Sequence, residues 1–525
     1  MSLITWSWIF LSIYIGGMLA IGIFAQRRVK HADDFATARG AYGPIFLAFA
    51  FAATTASGAT FLGTPALGYE WGLVTIWGNV LYPTGMYVGV LITMRLITSS
   101  GHRFGNRSIP EYLGDRYQSE GIRVLISIFS LVLFFYLAGQ LVSGLVMFEI
   151  MLGLSPVWAL LITTTVLLIY VVLGGAHADI LTDGVQGFMM LLVAIAVILL
   201  FLTGYGFDGG TGSRDGMLGV VDSLAEQDSH LVGVLNTKTA LYHSWWSIFA
   251  VFVSHIPLGL LPHIGNKLWA LKEASQQKTF VTLAFSFGLS MGMLGLAGLL
   301  ARAILGDALY MDGANPNQAL PTLFIELFPT WLAALVGVGV LAAIMSTADG
   351  LVVSSSQVIA NDLYRRTIVP RLTNPPTGEQ LDQQILRISR VSTVIVLVLC
   401  TALAWALVGT NIALIIWIGN GGMMAAFAGP LIVGALWRGV TRKGAYAGLI
   451  SGFVTFLVLH TQILDPNWFA PSAMRDAVAW LHAEGPSPFS CATLGELVSV
   501  SFTFVVSKAT QPLSESHVKS LFEGA

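Results

Sequence analysis

The sequence predicts an all-α polytopic membrane protein with about thirteen transmembrane helices, forming one membrane domain over 1–525. Three observations carry that expectation. Hydrophobic residues make up 55% of the chain and charged ones only 10%, against roughly 25% charged in an ordinary soluble domain. The apolar residues gather into uncharged runs of about 20 residues or more, long enough to cross a hydrocarbon core of about 30 Å as helices. Lys and Arg concentrate in alternate loops between those runs. A net charge of −2 suggests neither nucleic acid nor a polybasic anchor. The two cysteines, Cys400 and Cys491, have no neighbour of their kind, which excludes a disulfide framework and a CxxC motif.

The first run, Ile4 to Ala25, follows an uncharged Met1-Ser2-Leu3 and lacks the cleavage signature of a signal peptide, so 4–25 is expected to stay as an extra N-terminal helix. Runs near 43–69, 71–94, 124–148, 156–176 and 180–205 come next. They are followed by 241–266, 279–303, 319–359, 387–408 and 412–437, and then by two extra C-terminal helices within 444–507. Gly409-Thr410-Asn411 is the turn signal that divides the stretch from Val391 to Trp437. The Gly- and Asp-rich segment 206–240 and the polar loop 367–386 do not read as separate domains.

With the N-terminus outside and 508–525 as a cytoplasmic tail, only four of the 26 Lys and Arg residues fall in outer loops: Arg214, Lys238, Arg302 and Arg475. The rest, Arg39 and Lys267 among them, lie in inner loops, as the positive-inside rule requires. One missed or invented span mid-chain would destroy this asymmetry, which supports an odd count. The placement is that of a multi-pass cell-membrane protein, of the bacterial inner-membrane kind.

Two runs are interrupted. Ala52 to Gly72 crowds Thr54, Thr55, Ser57, Gly58, Thr60, Gly63 and Pro65, and Ser254 to Asn266 contains Pro257, Gly259, Pro262 and Gly265. A broken helix frees backbone groups that lipid cannot satisfy, so it survives only beside protein, water or ligand. Matched breaks in two halves, here 43–205 and 241–437, point to an inverted-repeat transporter with its site near the midplane. The competing reading is that these Gly, Ser and Thr residues serve close helix packing.

In LAAIMSTADG, Ala343 lies one turn before Ser346 and Thr347, so a carbonyl and two hydroxyls can face one point. Sodium prefers such oxygen ligands. Alternatively each hydroxyl simply bonds its own i−4 carbonyl. Charged residues inside spans are costly and default to functional hypotheses; Asp179, Asp183 and Asp349 qualify. Asp179 also fits a helix cap. His177, His255 and His263 lack the mutual spacing of a metal site; His263 is carried as a candidate solute contact against its plainer reading as a buried structural group.

From about Arg39 to Ala447 the chain resembles the sodium:solute symporter family, which includes proline, pantothenate, monocarboxylate, sialic acid and sugar transporters. The resemblance is carried by FATARGAYGP, SGATFLGTPALGYEWG, GGAHADILTDGVQG, GLLPHIG, and LAAIMSTADG with SSSQVIANDLY. It implies a five-plus-five inverted-repeat core of the LeuT type and alternating access. Carried over by position, it implies a sodium site at the carbonyls of Ala53, Ala56 and Ala343 and the hydroxyls of Ser346 and Thr347. It also implies a solute site lined by Thr55, Ser57, Gly58 and Thr60, with Asn79 and Gln140 as further polar contacts. Asp183 matches an acidic residue tied to ion coupling or a second sodium, and Arg39 a basic residue at the inner mouth.

Where some members place further hydroxyls for a second sodium, this chain has Asp349 and Gly350. Asp349 is therefore expected either to face Asp183, as an altered cation site or a proton-sharing pair, or to point into an inner vestibule. The Leu261-Pro262-His263 and FLGTPALGYEWG patterns look more like the pantothenate and monocarboxylate branch than the sugar branch. A small carboxylate is the expected solute, with proline-type amino acids next and sugars third. The rivals are a transport-like sensor, an intramembrane enzyme and a channel. About 17 residues after the last span leave a sensor little room for a signalling domain, and no catalytic constellation is complete.

Overall fold

The computed structural model describes residues 1–207, 216–311, 314–409 and 412–523. Thr410 and Asn411 of the turn signal, and Arg214, lie outside the described residues. Among these residues the chain is helical, with one isolated bridge, Tyr42 to Leu271. In order the helices are α1 Leu3–Gln26, α2 Ala32–Thr37, α3 Pro44–Thr55, α4 Thr64–Trp71, α5 Ile76–Phe104, α6 Ile109–Arg116, α7 Glu120–Phe129, α8 Leu133–Leu152 and α9 Pro156–Thr203. After α10 Met217–Gln227 come α11 Trp245–Ser254, α12 Pro262–Gly265, α13 Gln277–Gly292, α14 Gly295–Leu305, α15 Ala319–Leu327 and α16 Thr330–Gln357. The last are α17 Gly378–Ala406, α18 Ile412–Phe427, α19 Gly434–Leu436, α20 Arg442–His460, α21 Ala473–Glu484, α22 Pro488–Lys508 and α23 Glu515–Phe522.

Ten helical stretches among the described residues are long and apolar enough to cross a membrane, or eleven if the pair Trp245–Leu260 and Pro262–Ala270, bent by 52°, is one span. Pro44–Thr55 and Pro156–Leu168 are apolar but shorter. Each adjoins a place where a long run is broken. Within α9, Gly175 takes φ 53° and ψ −140°, a conformation that only glycine adopts without a steric penalty, so helical geometry stops there and restarts toward Asp179.

The bundle is apolar on its outside as well as through most of its core, with a minority of polar groups buried within it. Ile13, Leu91, Trp158, Val398 and Val505 are exposed, whereas Thr54, Thr182, Asp183, Ser346, Thr347 and Asp349 are fully buried. A surface this rich in apolar side chains requires lipid, and buried hydroxyls and carboxylates require partners within the protein.

The loops segregate to two ends. At one, Arg39 bonds the carbonyls of Gly101 and Asn106, Arg123 that of Arg366, Arg442 that of Tyr117, and Arg103 that of Ser520 near the C-terminus. At the other, Trp77 bonds Val234, Asn236 bonds Trp71, and Thr330 bonds the Met1 carbonyl. Met1 and Ser520 thus lie at opposite ends of the bundle.

Candidate ion and solute site

The chain between α3 and α4 stops forming helix at Ala56, which takes φ −86° and ψ 82°. The amides that would continue the ladder go elsewhere. Gly58 donates to Gln140 Oε1 at 2.9 Å, Ala59 to Ser57 Oγ at 3.2 Å, and Thr60 and Phe61 both to the Ser57 carbonyl. The carbonyls from Ala53 to Ala56 are left without their helical donors, and buried carbonyls need other partners. Thr54 O accepts from Thr347 Oγ1 at 3.0 Å, and Thr55 O from Tyr82 Oη at 2.6 Å.

The first of these bonds decides between the two readings of Thr347. Its hydroxyl does not back-bond to Ala343 in its own helix; it crosses to the broken span. Thr55 by contrast bonds its own helix, at Ala52 O, 2.8 Å away. Ser346, also fully buried, approaches the Asp183 carboxylate. Thr347 of α16 is therefore brought against the end of α3, the helix that carries Ala53 and stops at Ala56, and Ser346 against Asp183 of α9.

One residue away lies a charge cluster that the sequence reading misplaced. Lys267, assigned there to an inner loop, is 4% exposed. Its ammonium contacts Asp183 directly, Asp179 at 3.0 Å and Thr54 Oγ1 at 2.5 Å. Thr54 Oγ1 also donates to Asp183 Oδ2 at 2.7 Å. Asp179 is thus an ion-pair member inside the restarted helix of α9 rather than an interfacial cap. Asp349 is fully buried and stands beside Tyr14 of α1, whose hydroxyl accepts from Gln186 at 2.5 Å. It is not among the residues lining the small cavity next to Lys267.

A pocket begins where the break ends. Thr55, Ser57, Thr60 and Asn79 line it, as expected, together with Tyr82, Tyr136, Tyr242, His255, Trp417, Asn420 and Phe489. Among the described residues no Asp, Glu, Lys or Arg lines it. Two expected solute contacts sit differently. Gly58 packs on α8, where a Cβ would meet Ser143 Oγ at 2.3 Å, and Gln140 braces the Gly58 amide. His263 lies behind the cavity wall, edge-on to Tyr136 at 5.3 Å, and lines the Lys267 cavity instead.

Arg39 is at the basic end, paired with Asp33 at 3.1 Å, which also meets Arg107 at 3.3 Å. Partial burial pushes the Asp33 carboxyl up, but the two guanidiniums outweigh it and hold the group below the ordinary carboxylate value. Together these contacts tie the α2–α3 connection to the loop between α5 and α6.

A cavity beside a broken helix, crossed by a hydroxyl from a second helix, is a transporter's arrangement. The family model of the sodium:solute symporter family matches residues 35–452. The chain belongs to that family. Its members are sodium-coupled transporters, not enzymes, so this symporter moves a small solute together with sodium as a multi-pass membrane protein. The sodium/pantothenate symporter of Escherichia coli is 26% identical over 487 residues, covering 89% of this chain and 94% of that protein. The sodium/proline symporter of Salmonella typhimurium is 27% identical over 467 residues, covering 85% and 86%. The fold is similar to that of a sodium-coupled sialic acid symporter solved in a substrate-bound outward-open state, with TM-score 0.73, 17% identity, and 97% and 99% of the chains covered. This confirms the LeuT-type helical core.

Sequence reasoning found the symporter's break and the crossing hydroxyl but missed Lys267, Tyr82, Tyr136, Trp417 and Asn420. A signal for Lys267 was available: it stands one helical turn after His263 and is followed by apolar Leu268-Trp269-Ala270-Leu271, which is not a loop pattern. The aromatic residues carried none, because a Tyr or Trp in a span reads as packing until a cavity appears beside it.

Proposed function

We propose that this symporter carries a small organic carboxylate of the pantothenate or monocarboxylate kind, driven by sodium held at Ala53, Ala56, Ala343, Ser346 and Thr347. The observation that carries the ion site is the Thr347 hydroxyl on the Thr54 carbonyl. It links the broken span to the helix that supplies the other ligands. Sodium at this junction ties α3 to α16 and completes the coordination of the freed carbonyls. The solute then binds in the adjoining cavity, against Thr55, Ser57, Thr60 and Asn79. Without a charged side chain in that wall, a carboxylate would be recognised by hydroxyls, Asn79 and Asn420 amides, and the field of the sodium ion itself. That makes solute affinity depend on sodium, and the dependence is reciprocal. Gly58 and Gln140 hold the break in shape, while Asp183 reaches the ion site through Thr54.

One sodium moving through 100 mV releases about 2.3 kcal/mol, and a tenfold gradient adds about 1.4 kcal/mol. One-to-one coupling then sustains roughly several-hundredfold accumulation. The segregation of basic loops supports about thirteen crossings, with Met1 outside, the C-terminus inside and repeats spanning 43–205 and 241–437. Arg39 then closes the inner mouth.

Proline-type amino acids are the second reading, favoured by the aromatic wall of Tyr82, Tyr136, Trp417 and Phe489, which suits an apolar ring better than a polyol. Uptake of radiolabelled pantothenate, short monocarboxylates and proline into proteoliposomes, with and without an inward sodium gradient, separates the two. Sodium-independent accumulation of any of them would defeat the coupling scheme.

A further inference from the structure

Lys267 has no part in the cycle above, yet it is the most deeply buried lysine in the core. Its ammonium is surrounded by Asp183 Oδ2, Asp179 Oδ2 at 3.0 Å and Thr54 Oγ1 at 2.5 Å. Two carboxylate oxygens and a hydroxyl form a donor set suited to a hard cation. The second oxygen of Asp179 is buried without a hydrogen-bond partner, and the Asp183 carboxylate has Ser346 beside it, so the cradle offers more negative charge than the lysine uses. With His263, Thr37, Gly350 and Ser354, Lys267 and Asp179 line a small cavity near α2 and the basic end.

Thr54 joins this cradle to the sodium junction, because its carbonyl accepts from Thr347 while its hydroxyl contacts Lys267 and Asp183. One lysine on two carboxylates leaves one negative charge, which a single sodium at the neighbouring uncharged oxygens offsets. A second sodium in the cradle would lie against an ammonium in a medium of low dielectric, where like charges repel strongly. Asp349 is a further buried carboxylate, beside Tyr14 of α1.

We infer that Lys267 is a tethered cation that occupies the Asp179–Asp183 cradle in place of a second sodium and so sets the symporter's coupling at one sodium per cycle. This rests on the sodium site proposed above, and the test separates the two. Radiolabelled sodium binding is measured at equilibrium on the purified full-length protein, with choline as the non-binding counterpart. The wild type is expected to bind one sodium per chain without cooperativity, and Lys267→Met two. Lys267→Arg, which keeps the charge, should bind one, and so should Lys267→Met combined with Asp183→Asn. Two sodium ions on the wild type, or one on Lys267→Met, overturns the inference.

Thr347→Ala reports on the principal site alone. If it leaves the wild-type sodium untouched, the site assignment fails, while the comparison at Lys267 stands. Because an uncompensated buried carboxylate can unfold a protein, the melting midpoint of Lys267→Met is compared in sodium and choline chloride. A larger sodium-dependent rise than in the wild type supports the tethered cation, and equal midpoints in the two salts refute it.

Discussion

Replacing Thr347 by alanine removes a hydroxyl that crosses from α16 to the broken span, at 3.0 Å from the Thr54 carbonyl. No bulk is added at a fully buried position, so the backbone should stay in place. A hydrogen-bonding group that serves a charge contributes about 1.5–3 kcal/mol, and each 1.4 kcal/mol is about tenfold in affinity. The half-saturating sodium concentration for uptake should therefore rise about 10- to 100-fold. Thr347→Ser keeps the oxygen and should stay within about threefold. The assay is initial uptake into proteoliposomes across a sodium series at fixed solute, repeated at saturating solute. By reciprocity, solute affinity at limiting sodium falls by the same factor, while affinity at saturating sodium recovers. A Thr347→Ala protein with wild-type sodium activation would refute the assignment. So would one whose loss is the same at every sodium concentration, because that describes damage to the fold.

Three further outcomes follow from the same geometry. Tyr82→Phe leaves the Thr55 carbonyl without its 2.6 Å donor; at about 1–3 kcal/mol for a buried orphan, solute half-saturation should rise at least about fivefold, with a much smaller effect on sodium activation at saturating solute. Gly58→Ala forces a methyl to 2.3 Å from Ser143 Oγ and 2.8 Å from its Cβ; overpacking of about 1–3 kcal/mol should lower the melting midpoint, and Ser143→Gly in the same chain should restore much of it. The depressed pKa of Asp33 means that its bond to Arg39 contributes fully above the ordinary carboxylate value and is lost only as pH falls below it. Asp33→Asn should accordingly change the uptake rate without reshaping its pH profile between about pH 5 and 8; a new titration in that window would count against the lock.

The spans and their breaks were legible because lipid leaves few options: uncharged length, Gly and Pro interruptions and the placement of Arg and Lys each follow from one physical constraint. Ser346 and Thr347 were legible as a pair of hydroxyls one turn from Ala343, but not the direction of the Thr347 bond, which depends on how closely α3 and α16 pack. Lys267 was misread because a lysine at the edge of an apolar run is ordinarily a loop residue. Its burial depends on Asp179 and Asp183, more than eighty positions earlier in the chain. Gly58 and Gln140 were found as polar features of the site, although their work is to hold the backbone of the break. The cavity's aromatic wall was hidden because its members come from five separate segments.

The carbonyls of Thr54 and Thr55 belong to successive peptide units, one held by a helix that would bind the ion and the other by a tyrosine that lines the solute cavity. Looseness in that short stretch of main chain would show itself as slip rather than as weak binding: sodium crossing without cargo, or cargo without sodium. The stiffness supplied by Tyr82, Thr347 and Gln140 is then what keeps the ion gradient from leaking away, and a variant can retain both affinities while wasting the gradient.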